Sequence, residues 1–347
     1  MQVERQKKNM KLPSPIGWIT CAVVTAIALQ ACEETPKTPV DIKENTTTVV
    51  VPDFNQDSAY AFVKKQVDFG PRVPGSPSHA QCAQWLESKL RSYGANVIVQ
   101  EGQVKAYTGS TLNIKNIIAQ FNPVARKRVM LYAHWDTRPY ADRDENKEYC
   151  EKPIDGANDG GSGVAVLLEI ARLIAQQPVD YGIDIVLFDA EDYGKSQCDE
   201  TPDTEGDYTS WCLGSQYWTR HPHVAGYRAK YGILLDMVGA KGAVFNKEGT
   251  SMHFAPHVVN KIWNTAQGLG YGDYFKNEQT GTTIDDNLFV SRDGGVLSAN
   301  IVEFHLDSDG SGDYGSYHHT LDDNMDIIDV NTLKAVGQTV TDVIYNE

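Results

Sequence analysis

The chain is short of positive charge: its 347 residues hold 31 Lys and Arg against 46 Asp and Glu, a formal net charge of −15. Nowhere in the body do basic residues cluster, so the electrostatic footprint that nucleic-acid binding requires is missing. Internal repeats and a second low-complexity linker are absent too, which leaves one large single-core domain as the organisation of the body. The only long apolar run, "WITCAVVTAIALQAC" near the start, is too short for a comfortable membrane span. Cysteine is sparse. Beyond Cys32 only Cys82, Cys150, Cys198 and Cys212 remain, too few to replace a hydrophobic core with a disulfide framework.

What is present begins with a leader. Arg5, Lys7, Lys8 and Lys11 precede the apolar run, the layout of a secretory signal. Met10 offers an alternative start with a shorter basic region. The run closes on Leu29-Gln30-Ala31-Cys32, which resembles the bacterial lipobox, whose cysteine is lipidated and becomes the mature N-terminus; the alternative is a plain N-terminal anchor with a chance cysteine. Residues 1–32 are therefore expected to be signal peptide and lipobox, with Cys32 the lipid attachment. Pro/Thr-rich residues 33–53 are expected to be a tether, and 54–347 a single domain. The leader carries off four basic residues and only Glu4, so the body is more acidic still. The expected location is the cell envelope of a bacterium, lipid-anchored, on the periplasmic or outer-membrane side, and the expected state is a monomer. In an oxidising compartment the four remaining cysteines can pair; Cys198 and Cys212, flanking a polar loop, are the favoured pair, with the other pairings open.

Within the body, helical periodicity falls near 57–68, in "SHAQCAQWLESKLRSYG", after 160, near "LGSQYWTR", at 256–268 and at about 330–345. Strand-like runs are "ANVIVQ", "LNIKNIIAQF", "RVMLYAHWD", "IDIVLFDAED", "YGILLDMVG" and "ANIVEF". Apolar strands alternating with amphipathic helices predict an α/β fold, a three-layer sandwich whose central mixed, mostly parallel twisted sheet is flanked by helices. In such sheets ligands gather beyond the carboxyl ends of the strands. There the sequence places His134, the Glu191-Asp192 pair and Asp236, with Asp159 in the glycine-rich turn "DGANDGGSG" and His319 in "SYHHTLDDN". Each has a plain reading: Asp159 a helix cap, His134 a core histidine, Asp236 a turn residue, Glu191-Asp192 a solvated edge, His319 a surface loop. Together they form the donor set that suits Zn²⁺, imidazole nitrogen and carboxylate oxygen around an open position.

In order, His-x-Asp, "NDGGSGVAVLLEIAR", the acid pair after an apolar strand, "LLDMVG" and "HHTLDDNMDIID" resemble the zinc aminopeptidase superfamily with its glutaminyl cyclase branch. "FGPRVPGSPSH" and "DDNLFVSRDGGV" resemble further landmarks, so the similarity spans about 65–330. The resemblance implies a zinc-exopeptidase-like fold. The peptidase branch implies two zincs: Asp159 bridging, His134 and Asp236 on one metal, Asp192 and His319 on the other, Glu191 as general base. The cyclase branch implies one zinc on Asp159, Asp192 and His319, with Glu191, Asp236 and Asp285 catalytic and His134 left as a neighbour of the metal ligands or a vestigial ligand. Asp285 in "IDDNLF", "HTLDDN" and "LLDMVGA" favour the cyclase. Three positions depart from its pattern: Asp192 where a Glu is usual, His318 where vertebrate cyclases carry Trp, and Asn287 in place of His.

The implied reaction converts the N-terminal Gln of peptides or proteins to pyroglutamate with loss of ammonia. Glu191 passes a proton from α-amine to leaving nitrogen, while Asp236 and Asp285 form a hydrogen-bonded pair nearby. Three further features have weaker readings. His305 is pocket wall or structural. Trp135, Trp211 and Trp218 are pocket or core. "DSDGSGDYGS" at 307–316 offers Asp307, Asp309 and Asp313 to Ca²⁺ but lacks the later bidentate Glu, so a solvated turn is expected.

Overall fold

The structure is a computed structural model that describes residues 50–202, 207–306 and 312–347. Cys32 and the expected leader fall outside these residues, as do Asp307 and Asp309; Asp313 pairs with Arg143 at 2.6 Å. Among the described residues no helix is long and apolar enough to cross a membrane.

Strands β1 (Asn96–Lys105) and β2 (Thr111–Phe121) form an antiparallel hairpin. β3 (Arg128–His134), β4 (Gly182–Phe188) and β5 (Gly232–Asp236) are buried at every residue, as strands covered on both faces must be. β6 (Phe245–Lys247) and β7 (Phe275–Gln279) make a small parallel pair of their own. With β8 (Ser298–Val302) the main sheet runs β1-β2-β4-β3-β5-β8. β2 pairs with β4 antiparallel, and β4-β3-β5-β8 are parallel. The mixed, mostly parallel sheet is the one expected.

Side chains of successive strand residues point to opposite faces, and two cores follow from this. Val129, Leu131 and Ala133 of β3 join the large cluster under α1 (Gln56–Val67), α2 (Pro77–Ser92) and α3 (Gly161–Gln176). The neighbouring Met130 and Tyr132 face the other way, onto Trp218 of α4 (Leu213–Arg220). Two short elements absent from the periodicity, α5 (Gly249–Phe254) and α7 (Asp286–Arg292), flank α6 (Pro256–Gly268) in the chain. Val290 of α7 packs beside Trp218, and α8 (Val330–Tyr345) completes the first face. Burying one such Leu or Val side chain contributes roughly 1.5–3 kcal/mol, and α3 buries residues on all sides, from Val164 to Ile174. Gly163 lets it lie against the sheet: a Cβ there would sit 2.1 Å from the Leu235 carbonyl oxygen. Trp135 and Trp218 are core residues.

The cysteines pair differently from the expectation. Cys150 bonds Cys198, and Cys82 and Cys212 are free and buried. The expected Cys198–Cys212 bridge fails because Cys212 opens α4 with its sulfur turned to Glu191, 3.0 Å from Oε1. Cys150 and Cys198 lie on the two loops beyond β3 and β4, with Cα atoms 6.2 Å apart, inside the span a disulfide bridges.

Candidate metal centre and its cleft

Strain marks the site before its chemistry does. Among the described residues five non-glycine residues have positive φ, and four adjoin or supply the expected site: Ala190 before Glu191, Met237 after Asp236, Cys212 beside Glu191, and His319 itself. A left-handed residue with a side chain costs about 1–3 kcal/mol, and such strain persists where function holds it. The parallel strands explain the position. β3 delivers His134, β4 runs on into Glu191 and Asp192, and β5 ends at Asp236, all at carboxyl ends.

Asp159 does not cap α3. The cap position is Gly160, at φ 81 with no side-chain cap bond. A Cβ at Gly160 would lie 2.8 Å from the Asp136 carbonyl oxygen and 2.9 Å from His134 Cε1, so only glycine lets the turn bring Asp159 against His134. His134 Nε2 stands 3.0 Å from Asp159 Oδ1 and 3.2 Å from Asp236 Oδ1. Burial opposes a charged imidazole there, but the carboxylates of Asp136, Asp159 and Asp236 outweigh it and push His134 well up. The same contact outweighs burial at Asp159 and holds that acid below its usual range.

On the other side of Asp159 the carboxylate oxygens make ion pairs only, Asp192 Oδ1 reaching Arg138 Nη1 at 3.6 Å as well as His319. His319 Nε2 lies 3.1 Å from Asp192 Oδ1 and 3.6 Å from Asp159 Oδ2. Both Asp192 oxygens and Asp159 Oδ2 are buried and accept no hydrogen bond. Burial, then the charge of Asp159, pushes Asp192 well above the carboxylate range, and burial drives His319 well below the usual imidazole value. Orphaned buried oxygens facing a neutral imidazole are costly alone and fit a divalent cation, which reverses the local preference for protonated acids. Asp159, Asp192 and His319 therefore meet as the sequence expects.

His318 also stands near, with Nε2 4.0 Å from Asp159 Oδ2, and Asp159, His318 and His319 are close enough to share an ion. Its other nitrogen argues against ligation. Arg143 Nη1 is 2.8 Å from His318 Nδ1, and a guanidinium only donates. Nδ1 must therefore accept, so the neutral ring carries its proton on Nε2, the atom facing Asp159. In this arrangement His318 is a cleft-side donor.

The three expected catalytic acids line the same cleft, of about 470 Å³, with Arg143, Trp211, Phe304 and Tyr314 around it. Burial raises Glu191 and Asp285 well above their ordinary values and raises Asp236 as well. The expected hydrogen bond between Asp236 and Asp285 gives way to other partners. Asp285 caps α7, accepting from Asp286 N at 2.6 Å with one oxygen and from Asn300 Nδ2 at 2.6 Å with the other. Asp236 faces His134, and its charge reaches Asp285 as like-charge repulsion. Trp211 stacks on His319 with centroids 5.8 Å apart. His305 pairs with Glu303 at 2.8 Å and is not among the cleft-lining residues, and Asn287 is buried against Glu248 and Ser251.

Several residues that the sequence gave no role hold these groups in place. Asp136 accepts the backbone N–H groups of Glu191 (3.1 Å) and Asp192 (3.3 Å), tying the end of β4 to β3. Asp323 accepts those of Asn158 (2.7 Å) and Asp159 (3.0 Å). Arg72, fully buried, donates to the carbonyls of Trp135, Asp155 and Gly156 and so fastens the glycine-rich turn. Arg138 donates to the Asp192 carbonyl and clamps Asp142. Arg72 and Asp323 lie inside motifs already quoted, so their positions were visible; their hydrogen bonds, made across 63 to 165 residues of chain, were not.

A family model described as peptidase family M28 matches residues 116–344. A crystal structure of Bacteroides thetaiotaomicron glutaminyl cyclase bound to N-acetylhistamine is 50% identical, covering 86% of this chain and 100% of that one, with a TM-score of 0.82. A Zn-dependent exopeptidase from Parabacteroides distasonis is 49% identical with the same coverage and TM-score. A glutaminyl-peptide cyclotransferase of Gloydius blomhoffii is 26% identical over 193 residues, 50% of each chain. The match thus spans about half the length of that curated relative.

Proposed function

The chain belongs to peptidase family M28, and from that premise we propose that it is a zinc-dependent glutaminyl cyclase, converting the N-terminal glutamine of peptides and proteins to pyroglutamate with release of ammonia. The observation that carries the one-metal reading is the distribution of unpaired oxygens. They lie on the Asp159 Oδ2 and Asp192 side, facing His319, whereas Asp159 Oδ1 and Asp236 Oδ1 are already engaged by His134. Asp159, Asp192 and His319 would hold the zinc, which supplies Lewis-acid polarisation of the side-chain amide carbonyl when bound.

The chain's own residues do the rest. The cleft holds the glutamine so that its α-amine lies against its own side-chain amide carbon, an intramolecular arrangement that removes most of the entropic barrier. The amine nitrogen forms the new C–N bond as Glu191 takes one of its protons. Glu191 then gives that proton to the amide nitrogen, whose C–N bond breaks, and ammonia leaves. Burial holds the Glu191 carboxyl well above its ordinary value, the direction that suits a group which must both accept and return a proton. Asp236 and Asp285, both raised, line the side of the cleft that receives the leaving nitrogen.

A two-zinc aminopeptidase is the second reading, supported by the His134, Asp159 and Asp236 grouping and by the exopeptidase relative. Gln-initiated and Leu-initiated peptides, with products read by mass spectrometry, separate the two. Loss of ammonia from the Gln peptide with its backbone intact is the expected result. Release of the free N-terminal residue would overturn it.

The cellular setting is part of the same proposal. The protein is lipid-anchored through Cys32 in the envelope of a bacterium and acts there as a monomer. The Cys150–Cys198 disulfide supports an oxidising compartment. Palmitate labelling that persists in Cys32→Ala would refute the anchor.

A further inference from the structure

Among the described residues, the Glu191 carboxylate receives one side-chain hydrogen bond, from Cys212 Sγ at 3.0 Å to Oε1. Cys212 is completely buried, outside any disulfide, and at φ 57. It stands at the N-cap of α4 yet gives the helix no cap bond. A residue strained into the left-handed region at a cap it does not serve calls for another role. The backbone supplies the reason for its placement: Cys212 N donates to the Glu191 carbonyl at 2.8 Å, and Leu213 N to the Ala190 carbonyl at 3.0 Å. Gly214 allows the close approach, since a Cβ there would sit 2.1 Å from the Asp189 carbonyl oxygen. Thiol and carboxylate are thus carried on two segments locked together.

We propose that Cys212 is a positioning residue for the reaction, its buried thiol holding one oxygen of Glu191 so that the other is presented to the substrate amine. The inference rests on the cyclase reading and deepens it. Burial, with Glu191, Asp286 and Asp285 around the sulfur, keeps the thiol protonated and therefore a donor. An S–H is a weak donor. It fixes the direction of the carboxylate. A hydroxyl would orient as well and a methyl would not.

The test uses the zinc-loaded protein with a Gln-initiated peptide, comparing Cys212→Ala and Cys212→Ser for kcat, KM, zinc content and melting temperature. Cys212→Ala should lose about 3- to 10-fold in kcat, the scale of one orienting hydrogen bond, with KM and zinc content unchanged. Cys212→Ser should recover most of that loss. Wild-type kcat in Cys212→Ala, equal impairment of Ser and Ala, or a loss confined to KM or zinc content would each overturn the role. If Cys212→Ala does not fold, Cys212→Gly takes its place, since glycine accepts the left-handed backbone without a thiol. Failure of the cyclase reading is separately visible as free amino acid released by the wild type. Glu191 is the base in that case too, and the same kcat comparison then decides the role of Cys212 on the Leu-initiated peptide.

Discussion

Asp323→Asn tests whether Asp159 is held for a metal. Asp323 is completely buried, and its two oxygens accept the N–H groups of Asn158 and Asp159 at 2.7 and 3.0 Å. Asparagine has nearly the same shape but only one acceptor oxygen, so one of those N–H groups must face an amide nitrogen. A buried donor left without its acceptor costs about 1–3 kcal/mol, which is the expected destabilisation of the metal-free protein in denaturant unfolding. A second, separable effect is expected on the metal. The two N–H groups fix the backbone immediately before Gly160, and with it the direction of the Asp159 carboxylate toward Asp192 and His319. Loss of such a support lowers metal affinity about 10- to 100-fold, equivalent to about 1.4–2.8 kcal/mol. Zinc affinity would be measured by competition with a chromophoric chelator, and stability with and without zinc. The zinc-loaded variant should lose more stability than the metal-free one. Wild-type zinc affinity in a folded, destabilised Asp323→Asn would refute Asp159 as a ligand.

Glu191→Gln should abolish turnover while zinc content stays at the wild-type level; residual turnover near wild type would remove Glu191 from the proton transfer. His134→Asn should leave the zinc of Asp159, Asp192 and His319 bound, and a fall from two zincs per chain to one by atomic absorption would instead favour the two-metal reading. Replacing Cys150 and Cys198 by serine opens a loop of 48 residues, for which chain entropy predicts a loss of about 4 kcal/mol; an unchanged denaturation midpoint would contradict it. His223 is held below the ordinary histidine value chiefly by burial while it accepts from Trp218 Nε1 at 3.0 Å. Protons therefore bind the unfolded chain more readily, and the contribution of His223, complete above the ordinary value, is lost as pH falls through the lowered one. His223→Gln should flatten that part of the stability–pH curve, and an unaltered curve would refute the assignment.

The sheet was legible because its central strands are largely apolar and its helices periodic, so β3, β4, β5, α3 and α8 fall where pattern alone put them. Of the proposed metal donors, Asp192 stood out as an acid just beyond an apolar strand, where it has no packing role, whereas Asp159 and His319 lie in loops and stood out only through their motifs. The disulfide was not, because pairing depends on which loops the sheet brings together. Cys150 and Cys198 follow neighbouring parallel strands, whereas Cys212 is drawn under β4 by two backbone hydrogen bonds. α7 was missed because its seven residues are too few for a period to show, and with it the capping of that helix by Asp285. Asp136 and Asp323 were within quoted motifs, but a carboxylate that accepts backbone N–H groups leaves no pattern in its neighbours.

The choice between one metal and two then turns on His134. All the donors of a two-metal centre are present, and Asp159 stands between them with one oxygen turned each way. A second zinc would have to displace the contacts of His134 Nε2 with Asp159 Oδ1 and Asp236 Oδ1, which satisfy three buried groups at once. On the other side Asp192 and Asp159 Oδ2 accept no hydrogen bond, and their contacts are ion pairs with His319 and Arg138. Under the one-metal proposal the Asp192–His319 side is expected to fill first at limiting zinc. A single zinc can itself activate water, so under the one-metal proposal the choice of nucleophile lies with the substrate: in an N-terminal glutamine the α-amine is within reach of the side-chain carbonyl.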